Sequence, residues 1–429
     1  MGKVLVGWEA RRFRLAQWRM LLATMFCYLF YYTGRQTFGF AIPAIHEELG
    51  ISTTGLAAFS TVLLWSYAIG QAINGNLGDK FGGRHLMSLG AVLSCGLNWV
   101  VSFGTNFTSL IVPWAANGYA QSMGWAPGSR VLSSWWSNRE RGKVYGLYVF
   151  AAGMSSVLAF TTSTLIIKFN LDWRWIFRLP VLLLLVGGAV YYLMVRDRPE
   201  DLGFPPIDDA EDDPCPEDES KRADKSLATV DIGETSSERY WHILKNGRFL
   251  FASLAMGFLN TARYGLLVWV PVHFLGKDWK NSDTIWISVS LPVGMAFGAL
   301  TSGWLSDKLF RSRRSPVIIV FTVLAAVSSL GMYYLPKDHP AGIAVLFLTG
   351  FFAYGPHAAF WALCPDLLGR ARAGTGTGIM NAFAYGIAGL GELVIGALIY
   401  PDFSNTGIVF LVVAVACVCS ALLALPIRR

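Results

Sequence analysis

Runs of about twenty consecutive apolar residues recur from one end of this chain to the other, and they restrict its fold more than any other feature. An α-helix needs ~20 such residues to cross ~30 Å of hydrocarbon. Inside hydrocarbon every backbone N–H and C=O must find its partner within the structure, which leaves helices and closed barrels as the spanning solutions. Twelve runs meet the need, near residues 20–43, 56–77, 86–104, 107–130, 143–165, 174–195, 248–271, 283–306, 315–335, 341–364, 374–399 and 405–427. They are continuous rather than alternating with period two, so they suit helices and not barrel strands. Composition agrees, with 54% of the 429 residues hydrophobic and only 15% charged, where a soluble chain carries roughly a quarter charged residues. The expectation is an all-α membrane protein with twelve transmembrane helices seated in a lipid bilayer.

The formal net charge of +7 hints at nucleic acid in a soluble protein, but here the cations crowd the ends of apolar runs, where topology explains them. Arg11, Arg12, Arg14 and Arg19 precede the first run. Lys80 and Arg84, then Arg139, Arg141 and Lys143, then Lys308, Arg311, Arg313 and Arg314, then Arg370 and Arg372 mark alternate loops. The positive-inside rule puts those loops and both termini in the cytoplasm, in the inner membrane if the cell is bacterial. The first twenty residues show no cleavable signal pattern. Residues 196–245 form the one long polar segment, with an acidic, proline-bearing stretch over Asp208–Glu219. They read as a cytoplasmic linker, at least partly disordered, between a half at 1–195 and a half at 246–429. Five of the six cysteines sit in apolar runs and none has metal-ligand spacing. No cofactor, metal or nucleic acid is expected, and a monomer suffices.

The halves repeat. Arg35 and Pro43 in the first run match Arg263 and Pro271 in the seventh, each pair 228 residues apart. The loop Gly75-Asn76-Leu77-Gly78-Asp79-Lys80 after the second run returns at the same offset as Gly303-Trp304-Leu305-Ser306-Asp307-Lys308 after the eighth. Two pseudo-symmetric six-helix halves related by an axis along the membrane normal would bracket a central cavity. In such loops small residues let helix ends approach, and an aspartate can pair with a cation or a helix N-terminus across the joint. Asp79 and Asp307, with Arg141, are therefore read as conformational-switch residues. A single copy would be only a charged turn; two matched copies argue against that.

Arg35 and Arg263 carry the functional expectation. Each lies 15 or 16 residues past an arginine at its helix start, roughly 22–24 Å into the span at 1.5 Å per residue. Placing an arginine there costs at least ~2.5–3.5 kcal/mol on insertion scales. Pairing with a buried carboxylate is the structural alternative, but neither run contains Asp or Glu near these positions. Matched placement in the two halves aims both guanidiniums at one cavity, and their planar forks suit phosphate or carboxylate. Tyr28, Tyr31 and Tyr32 precede Arg35, Tyr264 follows Arg263, and Tyr67, Tyr354 and Tyr385 lie in other runs. A tyrosine in a bundle needs a partner for its hydroxyl, which a wet cavity supplies; singly, each is more often packing.

Several stretches resemble a known family. The first run reads Tyr31-Tyr32-Thr33-Gly34-Arg35-Gln36-Thr37-Phe38. The fourth contains Asn117-Gly118-Tyr119-Ala120-Gln121-Ser122-Met123-Gly124-Trp125-Ala126-Pro127, followed by Trp135-Trp136-Ser137 and Arg139-Glu140-Arg141-Gly142. The linker opens Arg196-Asp197-Arg198-Pro199-Glu200-Asp201-Leu202-Gly203, and Arg263-Tyr264-Gly265 and Tyr354-Gly355-Pro356 follow. Together with the Gly-x-Leu-x-Asp-Lys loops they resemble the organophosphate:phosphate antiporters of the major facilitator superfamily. The resemblance implies the major facilitator fold and exchange of an organic phosphate, or phosphonate, for inorganic phosphate by alternating access. It places the phosphate-gripping arginines at Arg35 and Arg263 and cavity tyrosines at Tyr28, Tyr32, Tyr67, Tyr354 and Tyr385. It also implies departures: where the glycerol-3-phosphate carriers have cavity cations, this chain has Gln71, Ala152 and Gln36.

Two more groups join the candidate substrate set, His357 in the tenth run and Glu392 deep in the eleventh. An intramembrane carboxylate is a functional candidate by default, with an arginine pair as the alternative. Glu392 would meet an amine on the substrate or carry a proton. Other readings stay open: a proton-coupled carrier of another organic anion such as a sugar acid, and a transporter-like sensor of sugar phosphate. An enzyme is not expected, for the chain has no paired carboxylates, nucleophile elbow or phosphate-binding glycine loop.

Overall fold

A computed structural model describes residues 7–136, 138–205, 236–275, 284–308, 314–368, 373–399 and 405–427. They form sixteen α-helices. The first half holds α1 (Trp8–Tyr31), α2 (Phe38–Leu49), α3 (Thr53–Phe81), α4 (Gly83–Ser102), α5 (Phe107–Gln121), α6 (Trp125–Trp135), α7 (Asn138–Lys168) and α8 (Trp175–Met194). After α9 (Ser236–Lys245) come α10 (Gly247–Leu275), α11 (Ser290–Lys308), α12 (Arg314–Tyr334), α13 (Ala341–Tyr354), α14 (Pro356–Leu368), α15 (Ala373–Ile399) and α16 (Ile408–Ala424).

The excess over twelve has a simple origin. The first, fourth and tenth spans are each broken in mid-course, into α1 and α2, α5 and α6, and α13 and α14, and α9 precedes the seventh span. Seven described helices qualify as membrane spans by length and composition, and two shorter ones are apolar. The three spans outside those groups are the first, fourth and seventh, and these hold Arg35, Asn117 with Gln121, and Arg263 in their middles. Polar groups lower hydropathy where an apolar membrane rod acquires a site.

Among the described residues the halves meet chiefly through α3 against α15, α7 against α11, and α2 against α10. The repeat equates the second span with the eighth and the fifth with the eleventh. The first two contacts are therefore images of one another, as a pseudo-twofold axis requires. The crossing of the first and seventh spans is close because Gly39 lies against the Val268 carbonyl, in space that any Cβ would occupy. Small residues at crossings let backbones approach and pack where apolar tails supply no hydrophobic drive.

The start of the expected linker is ordered. Asp197 Oδ1 accepts from the Arg84 backbone N–H at 2.9 Å, and the Trp135 indole donates to the Arg196 carbonyl at 2.8 Å. The stretch Asp208–Glu219 lies outside the described residues. So do the side chains of the three switch candidates, although the backbones of Asp79, Asp307 and Arg141 continue α3, α11 and α7.

Candidate functional site

The first span stops being an α-helix immediately before its arginine. After Tyr31 the chain makes one 3-10 turn, Tyr32–Gly34, and resumes as α2 at Phe38. A break inside a membrane leaves backbone groups that need other partners. Here the Gly34 carbonyl accepts from Asn117 Nδ2 at 2.7 Å and from Asn98 Nδ2 at 3.1 Å. The Tyr32 N–H donates to Ser155 Oγ at 3.0 Å. Behind them Gln121 Nε2 donates to Ser94 Oγ at 2.7 Å, and that hydroxyl donates to Asn117 Oδ1 at 2.6 Å. The network is fully buried, so it holds the turn rigidly. Glycine at 34 leaves this network in place, since a Cβ would lie 2.5 Å from Gln121 Nε2 and 2.7 Å from Ser94 Oγ and push both side-chain ends aside.

Held in this turn, the Arg35 guanidinium lies 4.3 Å from the centre of the Tyr32 ring and 4.7 Å from that of Tyr67. Arg263 comes from the unbroken α10. Its Nη2 donates to the Tyr32 hydroxyl at 3.1 Å, and its guanidinium lies 4.6 Å from the Tyr354 ring and 5.0 Å from the Tyr264 ring. Tyr32 therefore joins the two guanidiniums, one through its ring and the other through its hydroxyl. Each arginine is 5% exposed. Ion pairs among the described residues include Arg14–Glu140, Arg174–Glu48 and Arg174–Asp172, and neither central arginine takes part in one. Both Nε atoms and Arg35 Nη1 have no hydrogen-bond partner among the described residues. Cation–π contact contributes up to about 2 kcal/mol when desolvated, whereas burying an ion costs several kcal/mol. An anion would supply the difference.

The cavity beside Arg263 is walled by Tyr28, Tyr32, Tyr67, Gln71, Tyr354, His357 and Tyr385, all expected from the sequence. Trp125, Asn260, Trp361 and Asn381 also line it, with Val149 and Met256, and were not expected; an amide or indole in an apolar run is too common a signal to single out. His357 faces the Tyr354 carbonyl with Nδ1 at 3.0 Å and Asn260 Oδ1 with Nε2 at 3.3 Å. Tyr28 stacks on Tyr31 and meets Tyr32, Trp125 and Tyr148 edge-on. The space amounts to about 40 Å³, room for roughly three waters at ~10–15 Å³ each. An organic phosphate needs the cavity to widen.

Two residues stand elsewhere than expected. Arg35 does not share the wall with Arg263; it lines a smaller adjoining space with Gln36, Trp114 and Tyr264. The break turns its side chain behind Tyr32 and Tyr67, which repetition alone could not reveal. Glu392 is 1% exposed and also off the cavity wall, and its Oε2 accepts from the Trp269 indole N–H at 2.8 Å. An arginine partner for it is not found among the described residues.

Relative to the two arginines the larger cavity lies toward the face that carries the start of α1. Its wall uses Tyr28 before Arg35, Asn260 before Arg263 and Gln71 near the end of α3. Toward the opposite face the halves are sealed. Thr61 Oγ1 donates to the Gly389 carbonyl at 2.8 Å and the Trp65 indole to the Gly386 carbonyl at 3.2 Å.

Residues 24–392 match the family described as Major Facilitator Superfamily. A probable hexose phosphate transport protein of Chlamydia pneumoniae is 29% identical over 86% of this chain and 82% of its own length. The glycerol-3-phosphate transporter of Bacillus subtilis is 28% identical over 90% of this chain and 86% of its own length. The membrane sensor protein UhpC of Salmonella typhimurium is 26% identical over 97% and 92%. Among solved structures, an inward-facing, unoccupied bacterial homolog of the human lysosomal transporter Spinster superposes with a TM-score of 0.71. It covers 96% of this chain and 98% of its own at 13% identity, a likeness of fold alone.

Proposed function

As this chain belongs to the Major Facilitator Superfamily, a multi-pass membrane transporter rather than an enzyme, we propose that it exchanges an organic phosphate or phosphonate for inorganic phosphate. The observation that carries the reading is the meeting of two guanidiniums, one from each half, on Tyr32 with no carboxylate paired to either among the described residues. The names of the hexose phosphate and glycerol-3-phosphate relatives support it.

The mechanism follows from the charges. A phosphoryl group entering beside Arg263 accepts charge-assisted hydrogen bonds from its fork. Its negative charge also draws in the Arg35 fork, which lies behind Tyr32 in this form and closes on the same phosphoryl group as the two halves approach. The empty site, with two unpaired cations, resists full closure through mutual repulsion and desolvation. Rocking of the half at 1–195 against the half at 246–429, joined by the linker at 196–245, then opens the opposite face. Asp79, Asp307 and Arg141 act at the joints between helix ends. The loops rich in cations, with both termini, face the cytoplasm, and one chain suffices. Glu392, away from the cavity wall, carries a proton rather than meeting the substrate in this form.

Inhibition of uptake separates the carrier readings. Inorganic phosphate in excess is expected to compete with the organic substrate, and sugar acids are not. Competition by sugar acids alone would favour the proton-coupled carrier. A second reading, a membrane sensor of an organic phosphate, is favoured by likeness to a sensor over 97% of the chain; purified protein that binds phosphate yet transports none would select it.

A further inference from the structure

Two neighbours of Arg263 on the cavity wall face each other with acceptors. Asn260 and His357 both line the cavity and are buried. His357 Nδ1 lies 3.0 Å from the Tyr354 carbonyl, which can only accept, so Nδ1 carries the ring hydrogen. A second hydrogen on Nε2 would make the ring a cation in the same buried cavity as Arg263, with no anion to compensate it. Nε2 is therefore bare, and Asn260 Oδ1 faces it at 3.3 Å. Two bare acceptors do not pair. Either the Asn260 amide turns its NH₂ to Nε2 and leaves Oδ1 spare, or a donor from a guest serves both atoms; amide oxygen and nitrogen are told apart by such partners. Both arrangements leave an acceptor for a guest. Charge is the second constraint, because Arg263 is the only charged residue on this wall among the described residues.

We propose that Asn260 and His357 read a hydroxyl on the organic part of the substrate, so that the transported class is hydroxyl-bearing phosphates whose organic part is uncharged. Asn260 and Arg263 are three residues apart on α10 and share a face of the helix, about 4.5 Å apart along its axis. A phosphoryl group on the Arg263 fork therefore brings a hydroxyl just beyond the ester carbon within reach of Asn260. That hydroxyl donates to Oδ1 or Nε2. An alkyl phosphate has no donor to give and leaves the acceptors buried and unpaired, which lowers its affinity. A carboxylate would set acceptors against acceptors. An amine would donate, but its positive charge would meet Arg263 with no carboxylate on the wall, since Glu392 lies off it. The inference rests on the exchange reading above and narrows its substrate.

Matched competitors test it. Glycerol 3-phosphate is set against propyl phosphate, and glucose 6-phosphate against cyclohexylmethyl phosphate, each as an inhibitor of phosphate exchange by the full chain in proteoliposomes. The hydroxylated member of at least one pair is expected to compete at least about tenfold better than its alkyl partner. His357→Leu and Asn260→Leu should each bring that ratio close to one, through a rise in the inhibition constant of the hydroxylated member. His357→Gln, which keeps an acceptor, should hold most of the ratio. A ratio near one for both pairs in the wild type, or a ratio unchanged in both leucine variants, overturns the inference. Competition by neither member of either pair is a different result, and it overturns the exchange reading together with this one.

Discussion

At the scale of single residues, the distinction between Arg35 and Arg263 matters more than their likeness. Both were legible in the sequence because a charge in the middle of an apolar run has few explanations. Which space each would face was not legible, since that depends on a helix break a few residues away. Lysine keeps the charge but not the planar fork. Arg35→Lys and Arg263→Lys are each expected to lower exchange by about a hundredfold, the loss of two hydrogen bonds to a charged group, with near-normal amounts of protein in the membrane. Tyr32→Phe removes the hydroxyl that Arg263 Nη2 reaches at 3.1 Å while keeping the ring beneath Arg35. It should weaken apparent substrate affinity by roughly tenfold, read as a rise in KM with less change in kcat. Glu392→Gln keeps an acceptor for the Trp269 indole but cannot change its charge. If Glu392 carries a proton, the pH profile of transport flattens in this variant; an unchanged profile removes that role.

At the scale of elements, the breaks were the part hidden in the sequence. An apolar run announces a span, but α1, α2 and the turn between them read as one run because Gly34 interrupts hydropathy no more than alanine would. Pro43, the residue that looked most disruptive, lies inside α2, and Pro271 lies inside α10. What makes the break is distant in sequence: Asn98 in the third span and Asn117 in the fourth donate to the Gly34 carbonyl in place of its own helix. Gly34→Ala is expected to displace Gln121 and Ser94 and to lower the melting temperature markedly. Asn117→Ala leaves Asn98 as donor to that carbonyl and should cost about 1–2 kcal/mol. A thermal scan of detergent-solubilised protein checks both, and normal stability in Gly34→Ala would contradict the account of the turn.

At the scale of the whole molecule, twelve spans and the internal repeat followed from hydropathy and spacing, whereas most of the cavity wall followed from the family resemblance. The contacts of α3 with α15 and α7 with α11 then appear as the two images that the repeat demands. Nothing in a linear sequence tells which face of the cavity is closed; that is a choice between two packings of the same helices. Here Thr61 and Gly389 seal one face. Thr61→Cys with Gly389→Cys, oxidised to a disulfide, is expected to arrest exchange, and reduction to restore it. Transport at the ordinary rate through the cross-linked protein would show that the halves do not part at this seam.

The central claim, that guanidiniums from the two halves grip one phosphoryl group, is tested most directly by radiolabelled phosphate uptake into proteoliposomes loaded with unlabelled phosphate. Wild-type protein and the two lysine variants should be measured side by side. The account predicts uptake that requires internal phosphate, is inhibited by organic phosphates, and falls by about a hundredfold in both variants. Uptake that proceeds without internal phosphate, or that survives in either variant, would contradict it.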